Sequence, residues 1–74
     1  MASNVDPKEL PTIEGYLTEE NVESGWILKD AGDEIRLYRY SSMSRDLRLA
    51  NSLPKRMGTQ DQVIKKLMSM MKSI

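Results

Sequence analysis

The last sixteen residues, 59–74, constrain this chain most. Thr59-Gln60-Asp61-Gln62 places glutamine three residues after threonine, the capping-box pattern that opens a helix. At about 100° per residue, Val63, Ile64, Leu67, Met68, Met70, Met71 and Ile74 fall within an arc of about 160°. Lys65, Lys66, Ser69, Lys72 and Ser73 fill the opposite arc. The spacing therefore predicts an amphipathic helix over about 60–74. Its apolar face needs a cover, and the rest of the chain or a partner has to supply it.

Few other devices can hold the chain together. With 74 residues and 39% hydrophobic content, one domain with one small core is the limit. There is no cysteine, hence no disulfide framework and no thiolate zinc site. There is no histidine, so the commonest metal ligand and the commonest catalytic base are both missing.

Two β-prone runs offer the cover. Trp26-Ile27-Leu28 and Ile35-Arg36-Leu37-Tyr38-Arg39-Tyr40 flank the polar, glycine-containing stretch Lys29-Asp30-Ala31-Gly32-Asp33-Glu34. That arrangement predicts a β-hairpin over about 26–40. On the second strand Ile35 and Leu37 face one way, and Arg36, Tyr38 and Tyr40 the other. A helical alternative exists, because Leu28, Ala31, Ile35 and Tyr38 also form one stripe at helical spacing. Gly25 and Gly32 would each cost that helix about 1 kcal/mol. The expected fold is α+β, with the hairpin packed on the C-terminal helix; the alternative is all-α. Trp26, Ile27, Leu28, Ile35 and Leu37 are expected to meet Ile64, Leu67, Met68 and Met71.

Two shorter elements complete the reading. Thr18 followed by Glu19 and Glu20 fits an N-cap and an acidic first turn, with Gly25 as the stop, so a helix is expected over about 19–24. Ser44 could cap a connecting helix through Arg45–Asn51, ended before Pro54. Residues 1–14 hold Pro7, Pro11 and no regular apolar period, and read as a flexible acidic arm ahead of a single domain, 15–74.

The balanced charge, 11 basic against 11 acidic residues, hides a division. Residues 1–34 hold nine acids and two bases, a sum of −7; residues 35–74 hold nine bases and two acids, a sum of +7. Either the two halves attract one another in the fold, or the basic half is a surface for a polyanion. Arg36, Tyr38, Arg39 and Tyr40, with Arg45 and Arg48, suit a protein interface, where tyrosine and arginine are favoured anchors. They also suit nucleic acid, through phosphate contacts and base stacking. Methionine-rich faces adapt to varied partners, so Ile64, Leu67, Met68, Met70 and Met71 are candidate contacts as well as candidate core.

Leu28-Lys29-Asp30-Ala31-Gly32-Asp33-Glu34-Ile35 resembles the core of a BH3 helix, leucine followed after three residues by Gly-Asp. The resemblance implies Leu28, Ala31 and Ile35 as anchors in a Bcl-2-type groove and Asp33 as an ion-pair residue. It departs from that pattern at Ser24, where the family carries an apolar anchor.

Catalytic signatures are missing. The sequence has no GxGxxG, no GxxxxGK[ST] and no nucleophile elbow. Asp30, Asp33 and Glu34 do not have the spacing of an EF-hand loop. The expectation is a non-enzymatic protein-binding or regulatory module with no cofactor and no metal. Its partner would be another protein or a second copy of the chain, with nucleic acid as the rival. A membrane role is disfavoured: three lysines flank the helix face and no aromatic residue lies on it. Without cysteine, a secretory signal or an apolar run of roughly 20 residues, an intracellular, cytoplasmic setting is expected.

Overall fold

The computed structural model describes residues 6–71. Three strands, β1 (Trp26–Asp30), β2 (Glu34–Ser41) and β3 (Asp46–Pro54), form an antiparallel sheet in the order β1-β2-β3. A short helix α1 (Glu19–Glu23) precedes the sheet, and α2 (Gln60–Met71) follows it. The architecture is the expected α+β one. Lys72, Ser73 and Ile74, expected to end the C-terminal helix, lie outside the described residues, as do residues 1–5 of the arm.

Local chemistry starts both helices. Thr18 Oγ1 accepts from the Asn21 N–H at 3.1 Å and caps α1. The capping box of α2 is complete: Thr59 Oγ1 accepts from the Gln62 N–H at 3.2 Å, and Gln62 Oε1 accepts from the Thr59 N–H at 3.0 Å. α1 stops at Gly25, whose φ of 97° lets the chain turn into β1.

The segment 26–40 is a hairpin, not a helix. Trp26 pairs with Arg39, Leu28 with Leu37 and Asp30 with Ile35. The turn is held by Asp30 Oδ1, which accepts from the Gly32 N–H at 2.9 Å, and by the Ala31 N–H, which donates to Glu34 O at 3.0 Å. Gly32, at φ 95°, adopts the left-handed conformation the turn needs. This excludes the all-α alternative and the BH3-like helix. Leu28 and Ile35, the proposed groove anchors, are fully buried in this chain's own core, one on each strand.

The connecting helix expected through Arg45–Asn51 does not form; that segment is the first part of β3. Leu47 and Leu49 pair with Tyr40 and Tyr38 along the edge of β2, satisfying backbone groups that a helix there would leave unpaired. A bulge interrupts the register: Leu37 faces Asn51 but Tyr38 faces Leu49, so Ala50 is the extra residue. It decides where the leucines go. Leu47 and Leu49 share the face of Tyr38 and Tyr40. Leu53, of the same parity in sequence, turns to the opposite face and packs on the core beside Ile35.

One face of the sheet carries the core. Leu28, Ile35 and Leu37 meet Val63, Ile64 and Leu67 of α2, with Trp26, Leu53, Met68 and Met71 at the margin. Ile27, expected in this core, lies on the other face because it pairs with Tyr38 rather than Leu37.

Residues 6–13, expected as a flexible arm, are tied to β1. The Ile13 N–H donates to Leu28 O at 2.9 Å, and the Asp30 N–H to Pro11 O at 3.0 Å. Lys29, only 6% exposed, donates through Nζ to Thr12 Oγ1 at 2.6 Å and to Leu10 O at 3.0 Å. The arm segment thus covers the β1 edge, and a buried ammonium fixes it there.

Candidate protein-contact surface

The helix face is largely used inside the molecule. Ile64 and Leu67 are fully buried, so they present nothing to a partner in the folded chain. Met68 and Met71 are half-buried against the core. Met70 is half-buried beside Asn51 of β3.

The arginine–tyrosine residues divide between the two sheet faces. Arg36 donates to Tyr38 Oη at 3.1 Å and is paired with Glu34. These bonds, to Tyr38 first and Glu34 second, raise the Arg36 pKa above the ordinary guanidinium value. Tyr38 is 3% exposed, so its ring cannot stack on a base. On the opposite face, the Arg39 guanidinium lies 5.2 Å from the centre of the Trp26 ring. Arg48 pairs in register with Arg39, so Trp26, Arg39 and Arg48 form one row across the three strands. Arg45, at φ 54°, closes the loop between β2 and β3 in the left-handed region. Arg36, Arg39, Arg45 and Arg48 therefore do not share a face.

The far half of the β2–β3 hairpin is open to solvent. Tyr40 is 44% exposed, Leu49 54% and Met43 98%. Three of the five large hydrophobic residues exposed among the described residues lie on this one hairpin, which marks it as a patch rather than scatter. An open groove of about 550 Å³ runs over it, lined by Trp26, Arg39, Tyr40, Met43, Arg48 and Leu49 among others. A smaller cleft of about 230 Å³ lies where Ile13, Leu17, Val22 and Trp26 meet. That is below the roughly 300–1,000 Å³ typical of small-molecule sites.

The charge division is only partly neutralised in the fold. Of the three ion pairs among the described residues, two join the acidic and basic halves, and only Lys55–Asp30, at 2.6 Å, does so between residues distant in sequence. That pair and the Gly32 N–H hold the Asp30 carboxyl below its ordinary pKa. Glu34–Arg36 crosses the boundary between 34 and 35 but spans two residues of one strand, and Asp61–Lys65 is a helix pair. Arg39, Arg45 and Arg48 have no ion-pair partner among the described residues.

No group of three or more acidic, histidine or cysteine side chains is placed to hold a metal among the described residues. No helix among them is long and apolar enough to cross a membrane. Compared with known proteins, the chain matches no family model, no curated protein and no solved structure. The sequence reading had Arg39, Tyr40, Arg45 and Arg48 among its candidates, but missed Trp26, Met43 and Leu49. The alternation Leu47-Arg48-Leu49 is the signal that could have placed Leu49 on a strand.

Proposed function

We propose that the chain is a non-enzymatic protein-binding module whose contact surface is the far half of the β2–β3 hairpin. The supporting observation is that Tyr40, Met43 and Leu49 are all exposed on this one hairpin, with the exposed Arg39 and Arg48 on the sheet face opposite Tyr40 and Leu49. Aromatic, methionine and arginine side chains are the types enriched at protein interfaces. Such a module regulates by occupying its partner, not by turnover. The cysteine-free composition supports an intracellular setting.

Nucleic acid fits this geometry less well. A nucleic-acid strand needs a continuous basic track, and here Arg36 is on the sheet face opposite Arg39 and Arg48 and is paired with Glu34. The exposed acids of α1, Glu19, Glu20 and Glu23, end one residue before Ser24, which lines the same groove.

Site-specific photo-crosslinking in the native source tests the reading. A photoreactive residue at Met43 or Leu49 should give discrete protein adducts, and one at exposed Lys65 on α2 should not. Adducts at Lys65 equal to or stronger than those at Met43 would move the contact surface to the helix.

A further inference from the structure

The Arg39–Arg48 pair carries an unresolved opposition. The two residues are register partners on one sheet face. Like charges directly opposite across a strand pair destabilise it. Both side chains are exposed, and neither meets a carboxylate among the described residues. Trp26 completes the row and holds the Arg39 guanidinium over its ring. A carboxylate set between the two guanidinium groups would turn the repulsion into a pair of charge-assisted hydrogen bonds.

Resting on the contact-surface reading above, we infer that this row is the specificity site for an acidic peptide segment of the partner. One aspartate or glutamate carboxylate bridges Arg39 and Arg48 beside Trp26. Apolar side chains next to it rest on Trp26 and Met43, which line the same groove.

Charge decides the occupant. From Arg39 to Arg48 the hairpin holds three arginines and one aspartate, a net +2. A second copy would bring that same charge against itself. The free edge of β3 also disfavours strand addition. The Leu47 N–H is taken by Asp46 Oδ1 at 2.8 Å, and the Ser52 N–H by Asn51 Oδ1 at 2.9 Å. With Ala50 counted as the bulge, these two residues belong to one alternating set with Leu49 and Pro54, and proline has no N–H. Of the donors facing away from β2, only that of Leu49 stays open. Recognition therefore runs through side chains. The acids of α1 end one residue before Ser24 at the groove margin, and their charge disfavours an extended polyanion.

The test uses the full chain and three probes: a capped pentapeptide alternating leucine and glutamate, its glutamine counterpart, and a single-stranded oligothymidylate. Amide and indole N–H resonances report the site. The glutamate peptide should shift Trp26, Arg39, Met43, Arg48 and Leu49. The glutamine peptide should bind about ten-fold more weakly or worse, the effect of losing one charged hydrogen-bonded contact. Arg48→Gln should lose the same factor, while its melting temperature stays equal or rises because the opposition is gone. Arg48→Glu should pair with Arg39, melt higher and bind neither peptide. Equal binding of the two peptides at Trp26 and Met43 would overturn the carboxylate site while leaving the contact surface standing. Shifts that spare Trp26, Arg39 and Arg48, or none, would overturn the site as well, and the crosslinking result then judges the surface separately. Tighter binding of the oligothymidylate at the same residues would overturn it in favour of phosphate. Self-association that shifts these resonances without any probe would overturn it in favour of a second copy.

Discussion

At the scale of single residues, a few positions fix conformations that no other side chain would supply. Gly25 is the sharpest case. At φ 97°, a Cβ there would sit 3.1 Å from Tyr40 O, on the strand whose Tyr40 N–H donates to Gly25 O at 2.8 Å. Gly25→Ala should therefore lower stability by about 1–2 kcal/mol in urea unfolding. Lys29 is the second. Removing its ammonium in Lys29→Ala frees Leu10 O and Thr12 Oγ1, so amide exchange should quicken at Ile13 while the β2–β3 amides stay protected. Asp30 is the third. Its folded pKa is depressed, chiefly by the Lys55 hydrogen bond, so its stabilisation is fully present above the unfolded value near pH 4. It is lost as pH falls through the folded pKa. Asp30→Asn should be less stable than the parent at neutral pH and should converge with it in strong acid. A gap that persists unchanged to pH 2 would show that the Asp30–Lys55 pair contributes nothing.

At the scale of elements, the sequence was most legible where local chemistry decides the outcome. The Thr18 cap and the Thr59–Gln62 box form as the residue spacing implies. Thr59→Ala should cost about 1 kcal/mol, lowering the melting temperature by about 4–8 °C in a domain of this size. The β1–β2 hairpin was legible too, since Asp30 and Gly32 supply the turn. β3 was not. Ser44 ahead of Leu47, Leu49 and Leu53 fits a capped helix, and only the waiting edge of β2 selects the strand. The bulge at Ala50 then sends leucines of equal parity to opposite faces, which no period of two or 3.6 encodes. The same limit hid the candidate site. Arg39 and Arg48 are nine positions apart in sequence, and only the register sets them side by side. The edge that β3 leaves open is guarded by Asp46, Asn51 and Pro54. Asp46→Ala combined with Asn51→Ala frees two N–H groups and should raise self-association in sedimentation velocity, with no change in the isolated fold.

At the scale of the whole molecule, one core must serve a chain without disulfides, and it draws on nearly all of the α2 apolar face. The exposed large hydrophobic residues are concentrated on the far half of the β2–β3 hairpin, which also carries three arginines without an ion-pair partner among the described residues. The molecule is divided: the helix methionines are half-buried against the core or β3, and the hairpin side chains are exposed. Thermal unfolding of Met68→Glu beside Met43→Glu tests this division most directly. Met68 packs on the core and Met43 is 98% exposed. A carboxylate at 68 should cost about 2 kcal/mol or more and lower the melting temperature by roughly 10 °C, and one at 43 should leave it within about 2 °C. If Met68→Glu melts with the parent chain, the helix face is not core and the contact surface proposed here is misplaced.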